Sequence, residues 1–337
     1  MKRAKFYAGV LLAGLMAAAP AGAADIKERN IKVGIGLTAD HPQGQAVAKF
    51  GELVSQKSDG KIKVKLFAGG LLGNDVSMVS SLQGGTQEMT IPDTSTLVGI
   101  AGLKEFGLIN LPFALNASEE ADALLDGPWG QKLMAKLPEK GLVGLGFWEN
   151  GFRQISNNRH PINKAEDISG LKLRVIQNPL FIDTFTALGV SAQPMPFPEV
   201  YTALEQKAID GQENPVTVIN ANKFYEVQKH AVLTNHQYNP QSVIFSKKVW
   251  DTLTNDEKKI LADAASEAAR FQRQASRDAA TSALDNMKKG GMQVTELSPA
   301  ELAKFRDKMK PVVAKHSEVV GADVVNALQG ELAKLRK

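Results

Sequence analysis

Ile31-Lys32-Val33-Gly34-Ile35-Gly36 alternates apolar with polar or small residues as a strand does, and a loop holding Asp40-His41-Pro42 follows it. The next stretch predicts a helix from Gln43 to Lys57, with Ala46, Phe50, Leu53 and Val54 on one apolar stripe and Ser58-Asp59-Gly60 as its stop. Lys61 to Phe67 reads as a second strand and Asp75 to Leu82 as a second helix. Glu88 to Pro92 reads as a short strand opening into the polar loop Asp93-Thr94-Ser95-Thr96. This β-α-β-α-β order predicts a parallel sheet with helices on both faces, and such sheets bind ligands in the loops beyond the strand C-termini. Asp40-His41 and Asp93 to Thr96 occupy loops of that kind.

Working outward, Ser118 to Leu125 and Pro128 to Leu137 read as helices, and Gly141 to Phe147 as a strand that delivers Trp148-Glu149-Asn150-Gly151-Phe152-Arg153. After a loop at Asn157 to Pro161 the alternation restarts. Gly170 to Val175 is a strand, Leu180 to Leu188 a helix and Pro194 to Pro198 a rigid extended turn. Glu199 to Lys207 is again helical, and Ile209 to Pro215 is a strand. Two α/β units in tandem predict two lobes: residues 24–150 with about 240–279, and 151–239 with about 280–337. Asn255 to Lys289 contains neither Gly nor Pro, opens on Thr254 and Glu257 in capping-box spacing, and closes on Gly290-Gly291. At 1.5 Å per residue it would extend about 50 Å, so it either spans both lobes or breaks without a visible breaker. Ser298-Pro299-Ala300-Glu301 predicts a second capping box and a helical tail.

The chain has 337 residues, 43% apolar and 23% charged, with no cysteine, which excludes a disordered, collagen-like or disulfide-stapled protein. Thiolate zinc sites, iron–sulfur clusters and cysteine nucleophiles are excluded too. The histidines, His41, His160, His230, His236 and His316, form no HExxH and no i,i+4 pair, so neither metal nor cofactor is expected. Lys2, Arg3 and Lys5, the apolar run Phe6 to Ala19 and the small residues Ala21-Gly22-Ala23 predict a secretory signal at 1–23. Removing those three cations from 40 leaves 37 basic against 36 acidic residues. The expectation is a soluble, monomeric periplasmic protein with no basic surplus for nucleic acid.

No GxSxG elbow, phosphate loop or complete GxGxxG is present. What the chain offers is arginine between strands and polar loops. In Leu171-Lys172-Leu173-Arg174-Val175 alternation puts the apolar residues on one face and Lys172 and Arg174 on the other. Arg174 is then a solvated edge residue, half of a structural ion pair, or a ligand anchor whose planar fork matches a carboxylate. Arg153 reads as a solvated loop residue or as a second candidate.

From Trp148 onward several longer words follow in order: Glu149-Asn150-Gly151-Phe152-Arg153-Gln154, Gly170 to Val175, Pro194-Met195-Pro196-Phe197-Pro198-Glu199-Val200-Tyr201 and Asp210-Gly211-Gln212-Glu213-Asn214-Pro215. Lys223 to Lys229 and Thr234-Asn235-His236 complete the set. The chain closely resembles the solute-binding proteins of TRAP transporters, of the C4-dicarboxylate-binding (DctP-like) type. The resemblance implies two α/β lobes joined by a hinge, with a long helix across both, closing over a small organic acid. It implies integral-membrane TRAP permease subunits as partners, no enzymatic activity, and an Arg174–carboxylate pair. Arg153 is expected to support that pair, Asn214 to bond the same end of the ligand and Phe197 to wall the pocket. An exported sensory binding protein or a hydrolase are the alternatives.

With Arg174 on one carboxylate, the far end of the ligand falls to the first lobe, where Asp93, Thr94, Ser95 and Thr96 are the nearest candidates and Trp148, Glu149 and His41 are further ones. Asp93 facing the cleft would repel a second carboxylate and accept a hydroxyl; the alternative is a helix-capping Asp93. The expected ligand is a small hydroxylated acid, with hydroxylated dicarboxylates such as malate first and hydroxy monocarboxylates close behind.

Overall fold

The computed structural model describes residues 25–336; the expected signal segment lies outside them. The first unit comprises β1 (Arg29–Gly34), α1 (Pro42–Lys57), β2 (Ile62–Phe67), α2 (Asp75–Gly84), β3 (Met89–Thr90) and α3 (Thr96–Ile100). The segment read as loop at Thr96 is thus the start of a short helix. Next come α4 (Ser118–Asp126), α5 (Pro128–Met134) and β4 (Leu142–Asn157). The second unit holds β5 (Lys172–Val175), α6 (Pro179–Ala187), β6 (Ser191–Pro194), α7 (Val200–Glu205), β7 (Gly211–Pro215) and α8 (Val216–Ala221). The chain ends with β8 (His230–Leu233), β9 (Tyr238–Ser246), α9 (Lys247–Trp250), α10 (Asn255–Lys289), β10 (Gln293–Glu296), α11 (Pro299–Val320) and α12 (Ala322–Leu335).

Ten described strands form one sheet: eight follow the path β2-β1-β3-β9-β4-β7-β5-β6, and β8 on β4 and β10 on β8 lie off it. β4 joins the halves. It pairs with β9 from Leu142 to Phe152, then with β7 from Arg153 to Asn157. The expected strand to Phe147 therefore runs ten residues further, and Trp148 to Arg153 lie inside it. Two register shifts interrupt it, and the second falls between Glu149 and Gly151, where φ of +111° suits only glycine.

α10 is one unbroken helix of 35 residues, opened by the Thr254–Glu257 capping box. Beside the first unit its Glu267 meets Lys57 of α1 at 2.6 Å, and at its far end Met287 is buried with Val200, Leu204 and Phe224 of the second. It also repairs the bulge. Gln272 accepts from the Glu149 N–H at 2.7 Å and donates to the Glu149 carbonyl at 2.6 Å, which satisfies two backbone groups the irregular strand leaves unpaired. The second expected box is only half formed: Ser298 caps Glu301 N–H, but Glu301 accepts from Ala165 N–H instead of reaching back.

Core burial follows the two units. Ile31, Val33, Val47, Phe50 and Leu261 pack under the first half, and Leu173, Val175, Phe181, Phe185, Phe305 and Met309 under the second. Each such side chain contributes about 1.5–3 kcal/mol. The tail does not go wholly with the second lobe as expected. Leu328 and Leu332 of α12 pack with Leu124, Trp129 and Leu133, because an amphipathic helix buries its stripe wherever apolar surface is open.

Candidate functional site

Between the halves lies a cleft of about 380 Å³. Much of its wall comes from residues just past the C-termini of parallel strands: Gly36 and Leu37 after β1, Ile91 and Asp93 after β3, and Ile176 and Gln177 after β5. Asn74 and Asp75 add the start of α2. Asn150, Arg153, Asn214, Asn239 and Gln241 project from β4, β7 and β9.

Arg174 stands in β5 between β7 and β6, so it is no edge residue, and its neighbours Leu173 and Val175 are in the core as alternation requires. It is 3% exposed. Nε and Nη2 donate to the Met195 carbonyl at 2.9 and 2.7 Å, and among the described residues it forms no ion pair. Burial brings its pKa down to about 10, against the pull of Glu213, Asp75 and Asp93. Phe197 faces it across the cleft wall, with the ring centre 5.9 Å from the guanidinium carbon.

Arg153 lines the same cleft but is already paired. It bonds both Glu213 carboxylate oxygens, one through Nε and the other through Nη2 at 2.8 Å, and reaches the Glu213 carbonyl and Asn239 Oδ1 at 2.6 Å each. Burial alone would raise Glu213, but Arg153 and His236 outweigh it and hold the carboxyl below its ordinary value. The solvated-loop reading of Arg153 is thereby overturned.

Asp93 enters the cleft with both oxygens engaged, one accepting from Ser95 N–H at 2.7 Å and the other from Asn239 Nδ2. Asp93 thus closes a local turn and lines the cleft, but it is not the helix cap of the alternative expectation: the N-cap of α3 is Ser95, with no side-chain capping bond. Asp75 was read only as a helix start. Its carboxylate accepts from Asp93 N–H at 3.2 Å, and burial pushes its pKa up to about 6, with the nearby Asp93 charge adding to the rise and Asp93 N–H and Arg174 opposing it. Three more oxygens on the wall, Gln43 Oε1, Asn150 Oδ1 and Gln241 Oε1, are buried with no partner among the described residues. Their orientation is set for two of them, because Gln43 Nε2 is held by the Ile91 carbonyl and Asn150 Nδ2 by Asn239 Oδ1, each at 2.8 Å.

Five expected residues stand elsewhere. His41 is the buried N-cap of α1, accepting from Gln43 N–H at 3.1 Å, and burial takes its pKa down to about 3. Thr94 donates to Asn110 at 2.9 Å, and Ser95 is turned into the protein. Trp148 packs in the first core, and Glu149 accepts from Arg277 at 2.7 Å and from Tyr238 at 3.1 Å behind the sheet. Thr96 does line the cleft, and Asn214 lines it too, with its Nδ2 donating to Gln212 at 2.6 Å. The bulge is the physical reason for the split on β4. Asn150 and Arg153 are three apart, and only an extra residue lets both face one side of a strand. Among the described residues no group of three or more His, Asp or Glu side chains is placed to hold a metal.

The cleft between the two α/β halves thus sets one guanidinium without an ion-pair partner against carboxylates and amides. The family model for bacterial extracellular solute-binding protein, family 7, matches residues 33–318. The chain belongs to that family. It is a TRAP-type solute-binding protein and not an enzyme. Among known relatives, the 2,3-diketo-L-gulonate-binding periplasmic protein YiaO of Escherichia coli is 35% identical over 87% of this chain and 88% of its own. The C4-dicarboxylate-binding periplasmic protein DctP of Rhodobacter capsulatus is 32% identical over 88% and 89%. The crystal structure of the sugar acid binding protein DctPAm from Advenella mimigardefordensis, in complex with galactonate, matches with a TM-score of 0.90 at 46% identity, covering 92% of this chain and 99% of that one. No described helix of this solute-binding protein is long and apolar enough to cross a membrane.

Proposed function

We propose that this protein captures a hydroxylated monocarboxylate of the sugar-acid class in the periplasm and passes it to integral-membrane permease subunits. One observation carries the reading: the cleft holds a single unpaired guanidinium, Arg174, facing two carboxylates and three partnerless amide oxygens. Arg174 pairs with the ligand carboxylate. Asp75, Asp93, Gln43, Asn150 and Gln241 are acceptors, so they match hydroxyl donors along the rest of the ligand. A second carboxylate would need another free cation, and Arg153 is spent on Glu213. This reverses the order expected from sequence, placing hydroxy monocarboxylates ahead of malate-like diacids. Galactonate binding by the structurally similar DctPAm agrees with the class. The lobes meeting at this cleft are proposed to divide where β4 changes partner, near Phe152 and Arg153, and to close as a hinge.

Calorimetry with galactonate, erythronate, malate and succinate tests this, with recovery of the unchanged acid as the check against turnover. The hydroxy monoacids should bind at least tenfold more tightly than succinate, about 1.4 kcal/mol. Succinate binding as tightly as either of them would refute the reading.

The same geometry predicts a pH dependence. A ligand anion on Arg174 cancels the positive field that opposes the rise of Asp75 and brings a negative charge beside it, which outweighs one neutral hydroxyl donor to Asp75, so Asp75 gains a proton on binding. Affinity should rise about three- to tenfold from pH 8 to pH 5.5, and Asp75→Asn should flatten the profile. Proton uptake is read from binding heats in buffers of different ionisation enthalpy; a flat wild-type profile would count against the assignment.

A further inference from the structure

Two contacts made by the chain with itself rim the cleft. On one rim the loop after β2 touches the turn after β6: a Cβ built on Gly70, where φ is +75°, would stand 2.8 Å from the Pro198 ring. On the other, Asn178 Nδ2 donates to the Ser95 carbonyl at 2.9 Å. Asn178 is 3% exposed and directly follows Ile176 and Gln177 of the cleft wall. Its Oδ1 caps α6, accepting from Leu180 N–H at 2.8 Å. That bond decides the amide orientation. The oxygen is committed to the helix, so the NH₂ group must face Ser95. Ser95 in turn closes the Asp93 turn, so this one amide joins the loop leaving the Arg174 strand to the loop that carries Asp93.

We infer that Asn178 is the latch of the cleft, a positioning residue that holds the Arg174 wall to the Asp93 wall through the Ser95 carbonyl, whichever acid lies between them. The inference goes beyond the proposed ligand and does not depend on it. When the walls part, both groups regain water. When they meet without the donor, the buried Ser95 carbonyl keeps only its 3.2 Å bond from the Val98 N–H and loses its second partner, which disfavours closure. A contact that belongs to the closed form alone shifts the open–closed equilibrium by the same factor for every ligand, because apparent affinity scales with the competent fraction. Changes at Asp75, which is matched to ligand hydroxyls, would instead alter the ranking of acids.

The chain has no cysteine, so Lys63→Cys and Gln206→Cys, exposed sites on opposite lobes, would carry the only spin-label pair. Asn178→Ser keeps an oxygen for the cap but has no donor long enough for Ser95. Asn178→Asp keeps the cap and sets a negative charge against the carbonyl. In ligand-free protein the labelled parent should show a closed distance population that falls roughly tenfold in Asn178→Ser and further in Asn178→Asp. The ligand-free melting temperature should be unchanged, and affinities for galactonate, erythronate and malate should fall by one common factor. A parent with no closed population, or variants with a parental one, would overturn the latch. So would affinity losses that differ more than about threefold between acids, or a fall in ligand-free melting temperature, which would mark Asn178 as a helix cap only.

Discussion

Replacing Arg174 by alanine is expected to weaken acid binding about 30- to 4000-fold, or 2–5 kcal/mol, while leaving the ligand-free protein at least as stable as the parent. The two halves of this expectation have one cause. Arg174 is buried and bonded only to the Met195 carbonyl, with no carboxylate paired to it. Its desolvation therefore costs the fold more than its hydrogen bonds return, and a ligand carboxylate restores the balance. Arg174→Lys should recover little, since an ammonium cannot span two carboxylate oxygens and would leave the Met195 carbonyl or the ligand underbonded. Calorimetry gives the affinity and thermal melting the stability. An alanine variant that binds within about threefold of the parent would remove the anchor assignment, because that difference is well under 1.4 kcal/mol.

The α/β frame was readable because its signals are local. Each parallel strand from Arg29 to Thr90 is followed by its own helix, and α10 is bounded by Thr254, Glu257 and Gly290, all visible as residue types. The family resemblance, and not the local pattern, is what puts Arg174 and Phe197 in the cleft wall; alternation alone leaves Arg174 open between a solvated edge, an ion pair and a ligand anchor. β9 was not read as a strand. All nine of its residues are buried, yet Asn239 and Gln241 are polar because their face lines the cleft, and a strand covered on both faces loses the alternation that marks it. Trp148, Glu149, Asn150 and Arg153 were assigned without the bulge, whose register is set by pairing with β9 and by Gln272 from a distant helix. Asp75 had a weak signal: a carboxylate at the start of a helix, in the loop after a parallel strand, is where such a sheet presents ligand contacts. The Glu213 pairing of Arg153 had none, because ion pairs across neighbouring strands have no fixed sequence spacing.

That pairing separates Arg153 from Arg174 in the laboratory. Arg153→Met should destabilise the fold by about 3–5 kcal/mol, since it leaves Glu213 in the interior with His236, at 3.4 Å, and the more distant charge of Arg174 in place of a paired cation. Burial pushes the His236 imidazole below its ordinary value, so the histidine is a poor substitute for a permanent cation. Glu213→Gln should cost less, because the amide oxygen still accepts from Arg153, and the double variant Arg153→Met/Glu213→Leu should regain much of the loss by removing both buried charges. The pH dependence has a definite sign. Arg153 and His236 hold Glu213 below its ordinary value, so this pair stabilises the fold above that value and the contribution is lost as pH falls through the lower, folded one. In Arg153→Met burial is no longer outweighed and the carboxyl titrates upward, so that variant should lose stability as pH rises instead. Denaturant titrations from pH 3 to pH 8, followed by tryptophan fluorescence, read both limbs. If Arg153→Met unfolds at the parental midpoint across that range, Arg153 is free to serve the ligand, and the division of labour between the two arginines fails.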